Sequence, residues 1–400
     1  MDRRAFPGRI FDADNHLYET EDAFTRHLPS QYEGIFKYVQ VNGRTKIAVN
    51  NVISEYIPNP TFEVVGRAGA LADYFGGNNS EGRTPREIIG EPIRSIDAFR
   101  SAGARLALLD ELGLDAALMF PTLASLLEIH FTDDPELTAT LVHSFNEWLH
   151  DEWTFDYDGR IFATPIVNPC VVDRAVAELD WLLDRGAKVV LLRPAPVAGT
   201  RGTLSPFLPE FDPFWARIAE SGLLVALHSS DSGYQRYATE WEGGSRGAIT
   251  FKPRPFHESV TPGRAIHDAI ASAVCHGMLS RFPNVKVASI ENGGSWAPGC
   301  LRAMEAAYKK MPQEFLEHPR DVFLRNVWIN PFWEDDLEGL IALMGADHIL
   351  FGSDYPHPEG MAEPLGWLKQ VSDLYPARDV VQMMGENLYG LLADDGSGGC

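Results

Sequence analysis

A (β/α)8 barrel with insertions after its first and fifth strands is the fold this sequence predicts. Eight short apolar runs alternate with amphipathic helical stretches, ionisable residues gather at the C-terminal ends of several runs, and no G-x-G-x-x-G follows the first. Alternating strand and helix marks a parallel sheet covered on both faces, and eight such units in order argue for closure into a barrel. The missing glycine fingerprint removes the main sign of a dinucleotide fold.

The expected strands are residues 9–14 (RIFDAD), 116–120 (AALMF), 161–167 (IFATPIV) and 188–193 (KVVLLR). Residues 223–228 (LLVALH), 285–291 (VKVASIE), 326–330 (NVWIN) and 348–353 (HILFGS) complete the set. Most are nearly continuous apolar runs, as strands buried on both faces should be. Helices are expected over 97–112, 134–153, 171–185, 213–221, 262–282 and 295–311, with Asp212 or Thr261 before a proline reading as an N-cap. Residues 20–97 exceed a minimal barrel and contain YVQVNGRTKIAV, whose Asn-Gly pair suits a hairpin turn. Residues 229–261, rich in Gly, Ser and aromatics, form a second insertion. Both fall where a barrel's active site opens and are expected to cover it. Residues 1–392 read as one domain and 393–400 as a flexible tail.

Length and composition agree with this. A chain of 400 residues, 45% hydrophobic, can bury the core of one barrel or of two ordinary domains. Its 34 basic and 56 acidic residues give a formal charge of −22, which repels phosphate backbones and anionic membranes and argues against nucleic-acid and membrane-surface roles. No apolar run approaches the length of a membrane span. The opening MDRRAFPGRIFDAD lacks the apolar stretch of a signal peptide. Cys170, Cys275, Cys300 and Cys400 show no paired spacing and read as thiols in a reducing compartment. A soluble, cytoplasmic protein is expected.

The chemistry lies at the strand ends. The first run leads into FDADNHLYE, with Asp12, Asp14, His16 and Glu19; the fifth ends at His228, the sixth at Glu291, and the eighth opens into FGSDYPHPEG, with Asp354, His357 and Glu359. In a barrel these ends share one mouth. Asp14, His16, Glu19, His228, Glu291, Asp354 and His357 are therefore candidate metal ligands, and Glu291 and His357 candidate catalytic residues. Alternate residues of a strand face the same way, so Asp14 and His16 can share one ion, with Asp12 one pleat deeper. Arg193, at the end of the fourth run, suits a substrate carboxylate. His257 and His267 are further candidates for substrate contact, whereas His143, Asn146 and His276 read as packing residues.

These motifs, with RFPNVKVASIENGGSWAP and the closing MMGENLYGLL, resemble the amidohydrolase-related barrels, which include aminocarboxymuconate-semialdehyde decarboxylase and the resorcylate decarboxylases. The resemblance runs from about residue 9 to 392 and implies a first metal held by Asp14, His16, His228 and Asp354. Departures are as informative. Where the zinc decarboxylases carry H-x-H after strand one, this chain has Asp14-Asn15-His16, and where they place a catalytic histidine after strand six it has Glu291. The lysine that bridges two metals in the hydrolase branch has no counterpart, since the fourth run ends in Arg193 and Lys188 stands at its other end.

The remaining donors are four carboxylates and three imidazoles, an inventory suited to iron or manganese. It is similar to a branch of the family working as TIM-barrel non-haem di-iron monooxygenases. That resemblance implies two Fe ions bridged by Glu291, with Glu19 and His357 completing the second site, and hydroxylation of a small organic acid or acyl substrate using an external electron donor. The alternative expectation is a mononuclear decarboxylase or hydrolase with one Zn, Mn or Fe, Glu291 as acid–base group and His357 behind it. A barrel that binds without turnover is a third reading. The resemblance also suggests a homodimer.

Overall fold

The structure, a computed structural model, describes residues 3–54, 59–199, 202–243 and 254–393. Seven barrel strands are formed among them: β1 (Phe11–Leu17), β2 (Ala116–Pro121), β3 (Ile161–Ala163), β4 (Val189–Leu192), β5 (Leu224–His228), β6 (Lys286–Ile290) and β7 (Val327–Ile329). Parallel pairing runs β1–β2–β3 and β4–β5–β6–β7. The gap between β3 and β4 is closed by a parallel bridge from Ile166 to Leu191, with the Val167 amide donating to the Leu191 carbonyl at 2.9 Å. Pro165, which has no amide hydrogen to give a ladder, accounts for the early end of β3.

The eighth expected strand is an irregular segment that still closes the ring. Its Leu350 amide donates to Ile329 at 2.9 Å, while Ala13 and His16 of β1 donate to Phe351 and Tyr355 at 2.7 and 2.8 Å. The ladder fails where side chains replace backbone. Asp12 accepts from the Ser353 amide at 2.9 Å and its hydroxyl at 2.5 Å, and the β1 register shifts between Asp12 and Asn15. Strand, barrel and parallel order together make this a TIM barrel.

Helices pack outside in the expected places, including Ala102–Leu112, Pro135–Trp153, Val172–Leu183 and Ala297–Lys310. Asp134 caps its helix by accepting from the Leu137 amide. The two caps expected from sequence are corrected: Asp212 is the first helical residue and pairs with Arg281 at 2.7 Å, and Thr261 ends the short helix Pro255–Val260. Cys170, Cys275 and Cys300 are free thiols.

The insertion at 20–97 contains the expected hairpin, Phe36–Val41 against Arg44–Val49, with Asn42 and Gly43 both at positive φ as a two-residue turn demands. It is fastened over the mouth. Gly69 and Leu71 amides donate to the carbonyls of His357 and Pro358, Tyr18 stacks on Phe62, and Arg26 pairs with Glu152. In the second insertion the helix Tyr234–Glu242 and Pro255–Val260 are formed, joined by Gln235, Glu242 and His257. Residues 244–253 of that insertion and 394–400 of the expected tail lie outside the described residues. Among the described residues no helix is long and apolar enough to cross a membrane.

Candidate metal centre

β1, β5 and β6 deliver their last polar side chains to one buried point. Asp14, His16, His228 and Glu291 each present a ligand atom within 4.8 Å of the others. His16 Nε2 lies 3.3 Å from Asp14 Oδ1, 3.4 Å from Asp354 Oδ1 and 3.8 Å from Glu291 Oε2. His228 Nε2 lies 3.3 Å from Glu291 Oε2 and 3.5 Å from Asp14 Oδ1. His228 Nδ1 donates to the Ser229 carbonyl at 2.7 Å, which leaves Nε2 as the lone pair facing the carboxylates.

The residues fit a divalent ion. Asp14 Oδ1, His16 Nε2 and His228 Nε2 are buried without a hydrogen-bond partner. Such orphaned atoms are costly unless something else takes them. Two ligand atoms each about 2.1 Å from an ion at the tetrahedral angle stand about 3.4 Å apart, which is close to the spacings here.

Electrostatics point the same way. Burial would raise the Asp14 carboxyl, but His16 and His228 beside it outweigh burial and hold it well below the usual range. Burial, then the charges of Asp354, Asp14 and Glu359, push Glu291 well above its ordinary value, and Asp354 is raised by burial, Asp14 and Glu359. Burial followed by the charge of His357 depresses His16. Glu291 and Asp354 also sit at φ of 55° and 53°, a left-handed conformation that costs a side-chain-bearing residue energy and concentrates at functional sites.

The eighth segment brings a second set to the same place: Glu291, Asp354, His357 and Glu359 also lie within 4.8 Å of one another. His357 Nδ1 is 2.7 Å from Asp354 Oδ1, and its Nε2 is 3.0 Å from the Thr122 hydroxyl. Six of the seven expected ligands are thus together, joined by Glu359, two residues past His357 in the loop that drew attention to it. Glu19 is not among them. Its Oε1 accepts from the Leu123 and Ala124 amides at 2.7 and 2.9 Å, where the short helix after β2 begins.

The three candidate substrate residues have other partners. Arg193 is buried, donates to the Asp231 carbonyl at 3.0 Å and stands 3.8 Å from Glu128. His257 faces Gln235 and Glu242, and His267 faces Asp268 at 3.0 Å. Sequence reasoning missed Thr122 and the fully buried Arg105, which donates to the His16 carbonyl at 2.7 Å.

A sequence model of the amidohydrolase family matches residues 95–387, and the chain belongs to that family. A crystal structure of an amidohydrolase from Mycobacterium avium subsp. paratuberculosis K-10 superposes with a TM-score of 0.91 at 38% identity, over 97% of this chain and 99% of that one. The manganese-bound 5-carboxyvanillate decarboxylase of Novosphingobium aromaticivorans shares the fold at a TM-score of 0.62 and 15% identity, covering 98% and 99% of the two chains. A 2-amino-3-carboxymuconate-6-semialdehyde decarboxylase of Dictyostelium discoideum is 30% identical over 102 residues, 24% of this chain and 28% of that protein.

These findings overturn the expectation of a di-iron monooxygenase, and with it an oxidoreductase fed by an external electron donor. The 30% identical relative is a decarboxylase and the 38% identical structure an amidohydrolase. The second metal's expected ligands are in part engaged elsewhere: Glu19 gives Oε1 to two backbone amides and keeps only Oε2 without a hydrogen bond, and His357 has Thr122 on Nε2 and Asp354 on Nδ1. Counting donors in the sequence assigned atoms to an ion that the fold assigns elsewhere.

Proposed function

We propose that this chain is a divalent-metal-dependent lyase that removes CO2 from a hydroxylated aromatic acid. The observation that carries the reading is the meeting of Asp14, His16, His228 and Glu291, in which Asp14 Oδ1, His16 Nε2 and His228 Nε2 are buried without hydrogen bonds. Asp14, His16, His228 and Asp354 would hold one Mn2+, Zn2+ or Fe2+, which supplies positive charge to orient and polarise the oxygens of a bound acid.

Glu291 is the member of this set that a substrate meets. Its side chain keeps 19% of its exposure, against 2–3% for Asp14, His16 and His228. It acts as the acid: its proton passes to the ring carbon while the bond to the carboxylate carbon breaks, the bonding pair stays on the ring, and CO2 leaves. No oxidant is consumed. His357, gripped between Asp354 and Thr122, orients Asp354. Arg193, whose Nε faces Glu128 at 3.8 Å without a hydrogen bond, would pair with an acidic group of the substrate by exchanging Glu128 for it. His257 and His267 serve the cover through Gln235, Glu242 and Asp268.

The reading is supported by the decarboxylase relatives, and the 38% identical amidohydrolase favours hydrolysis of an amide or ester as the second. CO2 release from a panel of hydroxybenzoates, measured at saturating Mn2+, separates them. Wild type should release CO2 without O2, and Glu291→Gln should lose about a hundredfold or more of kcat, the scale of a general acid. No release from any acid, with turnover of an amide or ester panel, would replace the lyase by a hydrolase.

A further inference from the structure

The helix Ala102–Leu112 turns Ala102, Arg105 and Leu109 inward, so a guanidinium occupies a core position. Arg105 is 0% exposed, and burial, the largest influence on it, pulls it down to about 10. Among the described residues it forms no ion pair. Its hydrogen bonds go to β1 and the segment before the helix: Nε donates to the Ala98 carbonyl at 2.6 Å, Nη2 to the His16 carbonyl at 2.7 Å, and Nη1 to the Asn15 side chain. Asn15 in turn donates to Asp12 at 2.8 Å, and Asp12 accepts from the Asp14 amide at 3.0 Å and from Ser353.

Those contacts enclose the irregular part of β1. The register shift lies between Asp12 and Asn15, and the two ligands Asp14 and His16 lie in and just beyond it. A bulged strand has lost part of the ladder that would fix where its side chains point. The Arg105 fork takes over that task on one side and Asp12 on the other.

We propose that Arg105 is the positioning residue of the metal centre, setting the Asp14–His16 pair through Asn15 and the His16 carbonyl. The inference rests on the metal reading above. An arginine is required because its planar fork spans three fixed acceptors, whereas a lysine offers its donors from one point.

The test is Mn2+ affinity of stripped and reloaded protein, by calorimetry and Mn2+ electron paramagnetic resonance, beside the melting temperature of the metal-free form. Arg105→Met should bind Mn2+ about ten- to hundredfold more weakly, as loss of a ligand's supporting bond does. Arg105→Lys should recover part of this, and both should change the Mn2+ line shape. If either Arg105 variant does not fold, Asn15→Ala, which removes one acceptor and leaves the guanidinium, should still weaken binding several-fold. Folded variants with wild-type affinity and line shape would overturn the role of Arg105 while leaving the metal centre intact. A wild type that takes up no Mn2+ would overturn both.

Discussion

Asp14 and Glu19 are buried carboxylates five residues apart, and their surroundings separate them. Asp14 faces two imidazoles, and its Oδ1 has no hydrogen bond. Glu19 gives Oε1 to two backbone amides at the start of the short helix after β2, faces no imidazole pair, and has only Oε2 without a hydrogen bond. Asp14→Ala should therefore reduce Mn2+ uptake by about a hundredfold or more, whereas Glu19→Gln should leave it within about twofold by calorimetry. Glu19 has a different signature. Burial lifts its carboxyl from 4.5 to about 7, more than the amides lower it, so the folded chain keeps a proton there that the unfolded chain releases. That contribution to stability is fully present below about pH 4.5 and is lost as pH rises through 7, a fall of roughly 3 kcal/mol. Stability to urea of the metal-free protein across this range should fall by that much more in wild type than in Glu19→Gln, since Asp12, also raised to about 7, titrates in both; parallel profiles would refute it.

At the scale of elements, the seam between β1 and the eighth segment governs the site. A Cβ at Gly352 would stand 2.6 Å from Asp14 Cβ and 2.7 Å from Asn330 Nδ2, so the segment can approach the ligand strand only without a side chain there. Gly352→Ala should cost about 1–3 kcal/mol in thermal or urea unfolding, the range for overpacking, and weaken Mn2+ binding by displacing Asp14. The same seam marks the limit of what the sequence reveals. Apolar runs placed β2, β4, β5, β6 and β7 within a residue and β1 within three, and the ends of β1, β5, β6 and the eighth run located six candidate ligands, because strand polarity alone sends those ends to one mouth. The run 348–353 looks as regular as the others, since nothing in it announces that Ser353 will bond a side chain instead of a backbone carbonyl. Arg105 was hidden for a related reason. Within RLALLDEL the leucines suggest the inward face, and the one charge at a core position, its leading arginine, is the signal that could have exposed it.

At the scale of the whole molecule, the reaction was the least legible property, because composition counts donors without saying which are already engaged. Charge nevertheless yields a global prediction. A chain of formal charge −22 buries Asp14, Glu291 and Asp354 together, and their mutual repulsion and burial hold Glu291 and Asp354 away from their ionised forms. An ion that binds only the folded state stabilises it by about 2.7 kcal/mol at a hundredfold excess over its Kd. Chelation should therefore lower Tm, and Mn2+ should restore it in a saturable way. The increment should grow with pH, since protons compete with the ion for Asp354, whose carboxyl is held above its ordinary value. Differential scanning calorimetry of stripped and reloaded protein measures it directly. An increment that is independent of pH, or that survives intact in Asp14→Ala, would mean that the ion sits elsewhere than between β1, β5 and β6.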